Sequence, residues 1–132
     1  MAKAVDTNVL LRFVLSDDAG QAERVRALFK GVAAADEALF VSDVVLCEFA
    51  WVLGRSYSVR RGDLEATLRR LAGAAQLTFE SDGRLARVLD AFAAGRGDFA
   101  DYLVRERARD AGCDRVVTFD RALLREDGFV AP

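Results

Sequence analysis

A chain of 132 residues, 52% hydrophobic and 30% charged with a net charge of −2, has the makings of one ordered globular domain over residues 1–132. It contains no His, two Cys and no Gly-rich loop leading into Lys and Ser or Thr, which excludes Ser-His-Asp and Cys-His catalysis, the usual zinc sites and a P-loop. No apolar run is long enough for a bilayer, the first ten residues lack the layout of a secretory signal, and the charge argues against a bulk nucleic-acid coat, so a cytoplasmic protein with no membrane association is expected.

Residues 2–5 read as a short strand and 7–15 as a mostly apolar helix. Asp17 and Asp18 suit a turn and a helix cap. Over 19–30, Ala22, Val25, Leu28 and Phe29 fall on one helical face. The run 38–41 reads as a buried strand, after which Ser42 or Asp43 caps a helix over 44–53. Residues 54–62 read as a loop, and Asp63 as the cap of a helix over 64–71. A third strand is expected at 76–79 and a helix at 84–94, with Leu85, Val88, Leu89 and Phe92 inward. Gly95-Arg96-Gly97 breaks the chain, Asp98 starts a helix reaching about Arg109, and Gly112 ends it. A fourth strand at 115–118, a short helix around 122–125 and a terminal strand at 129–130 complete the chain. Short apolar strands alternating with amphipathic helices mean an α/β fold with a mainly parallel sheet. Cys47 and Cys113 form no motif and read as buried free thiols.

Four acids stand among apolar residues. Asp6 ends the first apolar stretch, and Glu48 is the one polar residue of 44–53. Asp101 lies within 99–104, and Asp120 follows Val116-Val117-Thr118-Phe119. Buried carboxylates are rare unless paired or metal-bound. In α/β folds the site lies beyond the carboxyl ends of the strands, where Asp6 and Asp120 are expected, with Glu48 and Asp101 in early helical turns. Two carboxylates at ~4 Å repel by about 4 kcal/mol at an effective dielectric near 20, so such a group either takes up protons or collects a cation. Mg²⁺ and Mn²⁺ prefer oxygen ligands, and a site of this kind suits phosphodiester hydrolysis. Structural roles compete for the same residues. Asp6 and Asp98 can cap helices, Asp101 can pair with Arg105, and Asp120 can cap the last helix or pair with Arg121. Asn8 and Thr118 are candidates to hold the carboxylates of Asp6 and Asp120.

The run Val5-Asp6-Thr7-Asn8-Val9-Leu10-Leu11 resembles the start of PIN domains, in particular VapC-type toxins. Glu48 about forty residues on, then Asp98-Phe99-Ala100-Asp101-Tyr102-Leu103 and Thr118-Phe119-Asp120, are similar in order and spacing. The resemblance implies an α/β/α sandwich with a central, mainly parallel sheet of four to five strands. It implies a metal-dependent endoribonuclease, the toxin of a toxin–antitoxin pair. It assigns the acidic positions to Asp6, Glu48, Asp101 and Asp120, with Asp98 auxiliary. On that reading Asp6, Glu48 and Asp101 hold one Mg²⁺ or Mn²⁺, while Asp98 and Asp120 support a second ion or orient the attacking water. It implies an RNA substrate, a homodimer and a small antitoxin whose apolar segment lies in a groove near the site; the apolar stretch 9–15 is compatible with one. Arg12, Arg96 and the Arg60-Arg61 pair are candidates for phosphate contacts. The competing readings are a catalytically silent PIN-like module that binds RNA or protein, and phosphoryl transfer on an aspartate. The latter needs a late Lys, and none follows Lys30.

Overall fold

The computed structural model describes residues 2–15 and 17–132. The chain forms two compact units, Met1–Glu80 and Ser81–Pro132.

The first unit is built on a three-stranded parallel sheet. Strand β1 (Lys3–Ala4) pairs with β2 (Leu39–Val41), and β2 with β3 (Leu77–Phe79). Parallel neighbours need long crossovers, and helices supply them. Between β1 and β2 run α1 (Thr7–Val14) and α2 (Ala19–Ala34); between β2 and β3 run α3 (Asp43–Ser56) and α4 (Arg61–Ala72). In the central strand the side chains alternate: Leu39 and Val41 are buried and Phe40 between them is partly exposed. Packing of α1 on both α2 and α3 buries Leu10, Leu11, Val25, Phe29, Leu46 and Phe49. Each such side chain contributes roughly 1.5–3 kcal/mol by leaving water.

The second unit pairs α5 (Asp82–Ala94) with α6 (Phe99–Asp110). Leu85, Val88, Leu89 and Phe92 of α5 are all buried, as their spacing predicts. They meet the stripe Phe99, Tyr102 and Leu103 of α6, with the Phe92 and Phe99 rings edge to face. A second parallel ladder joins β4 (Val116–Val117) to β5 (Phe129–Val130), with the 3-10 helix Leu123–Arg125 between them.

Among the described residues, six helices and parallel sheets of three and two strands give the expected α/β class of an α/β/α sandwich. The five strands are divided between two ladders. Three expectations change. Helix α2 continues past Lys30 because Val32 extends its buried face. Helix α3 runs through Gly54 to Ser56, which shortens the loop expected at 54–62. Helix α4 begins at Arg61, so Asp63 lies inside the first turn and is not its cap; it receives the Arg60 Nε at 3.4 Å. The thiols also depart from expectation: Cys113 is exposed and Cys47 half-buried.

Candidate active site

In the first unit, Asp6 follows β1 and caps α1. Its Oδ1 accepts the Val9 N–H at 3.4 Å, a long bond that leaves the exposed carboxylate oxygens room for other partners. Asn8 is exposed on the first turn and makes no hydrogen bond to Asp6 among the described residues. Glu48 lies in the second turn of α3, which Ser42 caps by accepting the Val45 N–H at 3.2 Å. Glu48 is exposed, not buried as its apolar surroundings in sequence suggest. Leu46, Phe49, Ala50 and Leu53 form the inward face of α3, which turns Val44, Glu48 and Trp51 outward.

In the second unit, Asp98 caps α6 and Asp101 sits at the third helical position. The Asp98 N–H donates to Asp101 Oδ2 at 2.8 Å, the reaching-back half of a capping box. Asp101 is half-buried, and its carboxyl is raised above the ordinary aspartate value. Burial is the main cause; the negative charges of Asp98, Asp120 and Glu126 add to it, against the hydrogen bond from Asp98. The charges of three acids therefore act on one carboxylate. Asp120, on the loop after β4, accepts the N–H groups of Ala122 at 2.9 Å and Leu123 at 3.3 Å and so starts the 3-10 helix. Thr118 Oγ1 accepts the Asp120 N–H at 3.0 Å and braces its backbone.

The capping roles of Asp6, Asp98 and Asp120 hold, but the competing pair of Asp101 with Arg105 does not form. Arg105 turns to Glu106 at 2.9 Å and to the Asp127 carbonyl at 3.1 Å, not to Asp101. Arg12 is tied to Asp17 and, at 2.8 Å, to Gln21, so it is not a free phosphate contact. Sequence reasoning missed Glu126, whose setting in Arg125-Glu126-Asp127-Gly128 reads as a solvated turn; only the fold carries its charge to Asp101. It also missed Asp43, buried at the start of α3, whose N–H donates to Glu80 Oε2 at 2.5 Å.

Donors of this kind, carboxylate oxygens beside further negative charge, suit a hard divalent cation, which would relieve the repulsion at Asp101. Among the described residues no three acidic or thiol side chains gather into a group able to hold an ion by themselves.

The PIN domain pattern matches residues 3–128. This chain belongs to the PIN domain family. It is 27% identical over 119 residues, 90% of this chain and 87% of the relative, to a protein named VapC ribonuclease from Aquifex aeolicus (strain VF5). The matched span of the PIN domain includes all five acids, in both units. No helix is long and apolar enough to cross a membrane among the described residues.

Proposed function

We propose that this PIN domain is a metal-dependent endoribonuclease that hydrolyses RNA phosphodiester bonds in the cytoplasm, and that it is the toxin of a toxin–antitoxin pair. The observation that carries the reading is the match of the PIN domain over residues 3–128 beside a VapC-named relative, and the charges of Asp98, Asp120 and Glu126 that raise the half-buried Asp101 carboxyl support it. Repulsion of this kind is unfavourable in a resting protein and useful at a cation site.

In this proposal Asp6, Glu48 and Asp101 would hold one Mg²⁺ or Mn²⁺, and Asp98 and Asp120 would support a second ion or orient the attacking water. Bound there, the ion would supply the Lewis acidity that polarises a phosphate and lowers the pKa of a water. The carboxylates would position that water by accepting its hydrogens, with Asp6 held by the Val9 N–H and Asp101 by the Asp98 N–H. Thr118 supports Asp120 by accepting its backbone N–H, while Asn8, two residues after Asp6, makes no bond to it among the described residues. The two units act as one domain over 1–132, as the continuous match across both favours. A homodimer and a small antitoxin lying near the apolar stretch 9–15 complete the proposal.

The test is cleavage of single-stranded RNA by purified protein with Mg²⁺, Mn²⁺ or chelator, beside Asp101→Asn. Asn keeps an oxygen for the Asp98 N–H but removes the crowded charge. Without metal the variant should be at least as heat-stable as the parent; with metal it should neither cut nor gain stability. The parent should cut, and at a metal concentration 100 times Kd it should gain about 2.7 kcal/mol. A parent free of inhibitor that neither cuts nor responds to metal would leave the silent binding module as the reading.

A further inference from the structure

The second unit contains a groove separate from the proposed ligand set. It has a volume of about 680 Å³ and is lined by the loop at 95–96 and by residues on both sides of the 3-10 helix. That is room for a nucleotide. Ala91, Ala94 and Ala122 keep the space open, and Arg96 and Arg125 border it.

The charges in this groove are unequal in freedom. Glu126 receives the Tyr102 hydroxyl at 2.6 Å and the Arg96 N–H at 3.4 Å. Arg105 is committed to Glu106, and the exposed Asp127 carboxylate also lines the groove, one negative charge against Arg96 and Arg125. Arg96 and Arg125 are exposed, and neither guanidinium has a carboxylate partner among the described residues. A guanidinium presents a planar fork of donors that matches phosphate oxygens.

The loop that carries Arg96 is held tightly. Tyr102 Oη accepts the Gly97 N–H at 2.8 Å. A Cβ at Gly95 would fall 1.9 Å from Tyr102 Oη and 2.4 Å from Glu126 Oε1, so only glycine permits this approach. Arg96 is therefore presented from a fixed backbone, which lowers the entropy cost of gripping a ligand. The groove also adjoins the acids: Arg96 stands two residues before Asp98, and Glu126 lines the groove while its charge reaches Asp101.

We infer that this groove is a phosphate subsite for the RNA strand, in which Arg96 and Arg125 grip a backbone phosphodiester away from the bond that is cut. The inference rests on the ribonuclease reading for its ligand. Its effect is to anchor the strand, so it acts on substrate affinity more than on the chemical step.

The experiment measures anisotropy of a labelled single-stranded RNA in chelator across a salt series, with Arg96→Ala, Arg125→Ala and the double variant. Arg26→Ala, an exposed arginine of α2, is the control. Each lost phosphate contact should flatten the slope of log affinity against log salt by about 0.7. The double variant should bind roughly tenfold or more weakly at low salt, as expected for two charge-assisted contacts. With Mg²⁺ the same variants should raise KM and largely keep kcat. Replacement of both by Lys should keep the slope while losing part of the affinity. A double variant with the parent's slope and KM would overturn the inference, and if the parent still cut RNA the ribonuclease reading would survive it. A parent that never cuts, whose slope nevertheless falls in the double variant, would leave the groove standing and sink the nuclease. Unchanged RNA binding with lost capture of a polyglutamate peptide would overturn it in favour of an acidic protein ligand.

Discussion

Glu106 is the acid that the fold buries most completely, with its side chain 1% exposed, and it is held by three arginines. Arg87 reaches it from α5 at 2.9 Å, and Arg105 and Arg109 from its own helix at 2.9 and 3.0 Å. Burial pushes this carboxyl up. Hydrogen bonds from Arg87 and Arg105, with the charges of Arg109 and Arg105, outweigh burial and hold it below the ordinary glutamate value. A folded value below the unfolded one contributes stability that is complete above the unfolded pKa of about 4.3 and is lost as pH falls through the folded value. Glu106→Gln should therefore lower Tm at pH 7, by about 3 kcal/mol in stability, and should unfold with a shallower pH dependence in acid than the parent. Thermal melts between neutral pH and pH ~3 would check both. Equal slopes for the two proteins would remove Glu106 as the source. In sequence, Arg105-Glu106-Arg107 reads as a solvated run, yet Glu106 continues the 99, 102, 103 stripe by one helical turn. The periodicity was sufficient to place it inside; its charge argued the other way, and the arginines that decide the matter come partly from another helix.

At the scale of elements, two of the proposed ligands are also helix caps, which separates fold from chemistry in a measurable way. Asp6→Asn keeps a capping oxygen, so its stability should stay within about 0.5 kcal/mol of the parent, whereas Asp6→Ala should lose about 1 kcal/mol. Cleavage should vanish in both. Equal activity loss with unequal stability is the signature of a ligand that happens to cap; activity that follows stability would mark Asp6 as a cap alone. The 95–97 turn offers a second check. Gly95→Ala drives a methyl into Tyr102 Oη, and Tyr102 is fully buried and cannot swing away. A loss of about 1–3 kcal/mol is expected from chemical denaturation, as for other overpacked sites. Tyr102→Phe, which leaves the Gly97 N–H and Glu126 without their hydroxyl partner, should cost about 1–2 kcal/mol. Helices α5 and α6 were legible because their apolar spacing agrees with the glycines that follow them, Gly95 and Gly112, and α1 because Asp6 stands at the cap of a mostly apolar run. The start of α4 was not, since Arg60 stands at its cap with no side-chain bond to announce it. Glu48 was legible as a special position for the wrong reason: it is an outward residue on a helix whose outward face also carries Val44 and Trp51.

For the whole molecule, the proposal of one domain over both units has a calorimetric consequence. The second unit is short for an independent domain, near the size at which chains struggle to bury enough surface. One cooperative transition with equal calorimetric and van't Hoff enthalpies is expected; two resolved transitions would show that the units unfold separately. The ordered set of acids along the chain was readable from sequence. Asp98, three residues before Asp101 on the same helix, was readable as its neighbour; Glu126 was not, because its charge reaches Asp101 only through the fold.

The chain has a single tryptophan, Trp51, and it stands 61% exposed on the outer face of α3, one turn after Glu48. An indole already in water has little to gain in hydration when the chain unfolds, so its emission is a poor thermometer of folding. The same placement makes it a built-in optical reporter of coverage: whatever settles on that face of α3, a second copy or an inhibitory partner, will dry the ring, shift its emission to the blue and shield it from dissolved quenchers, with no dye attached.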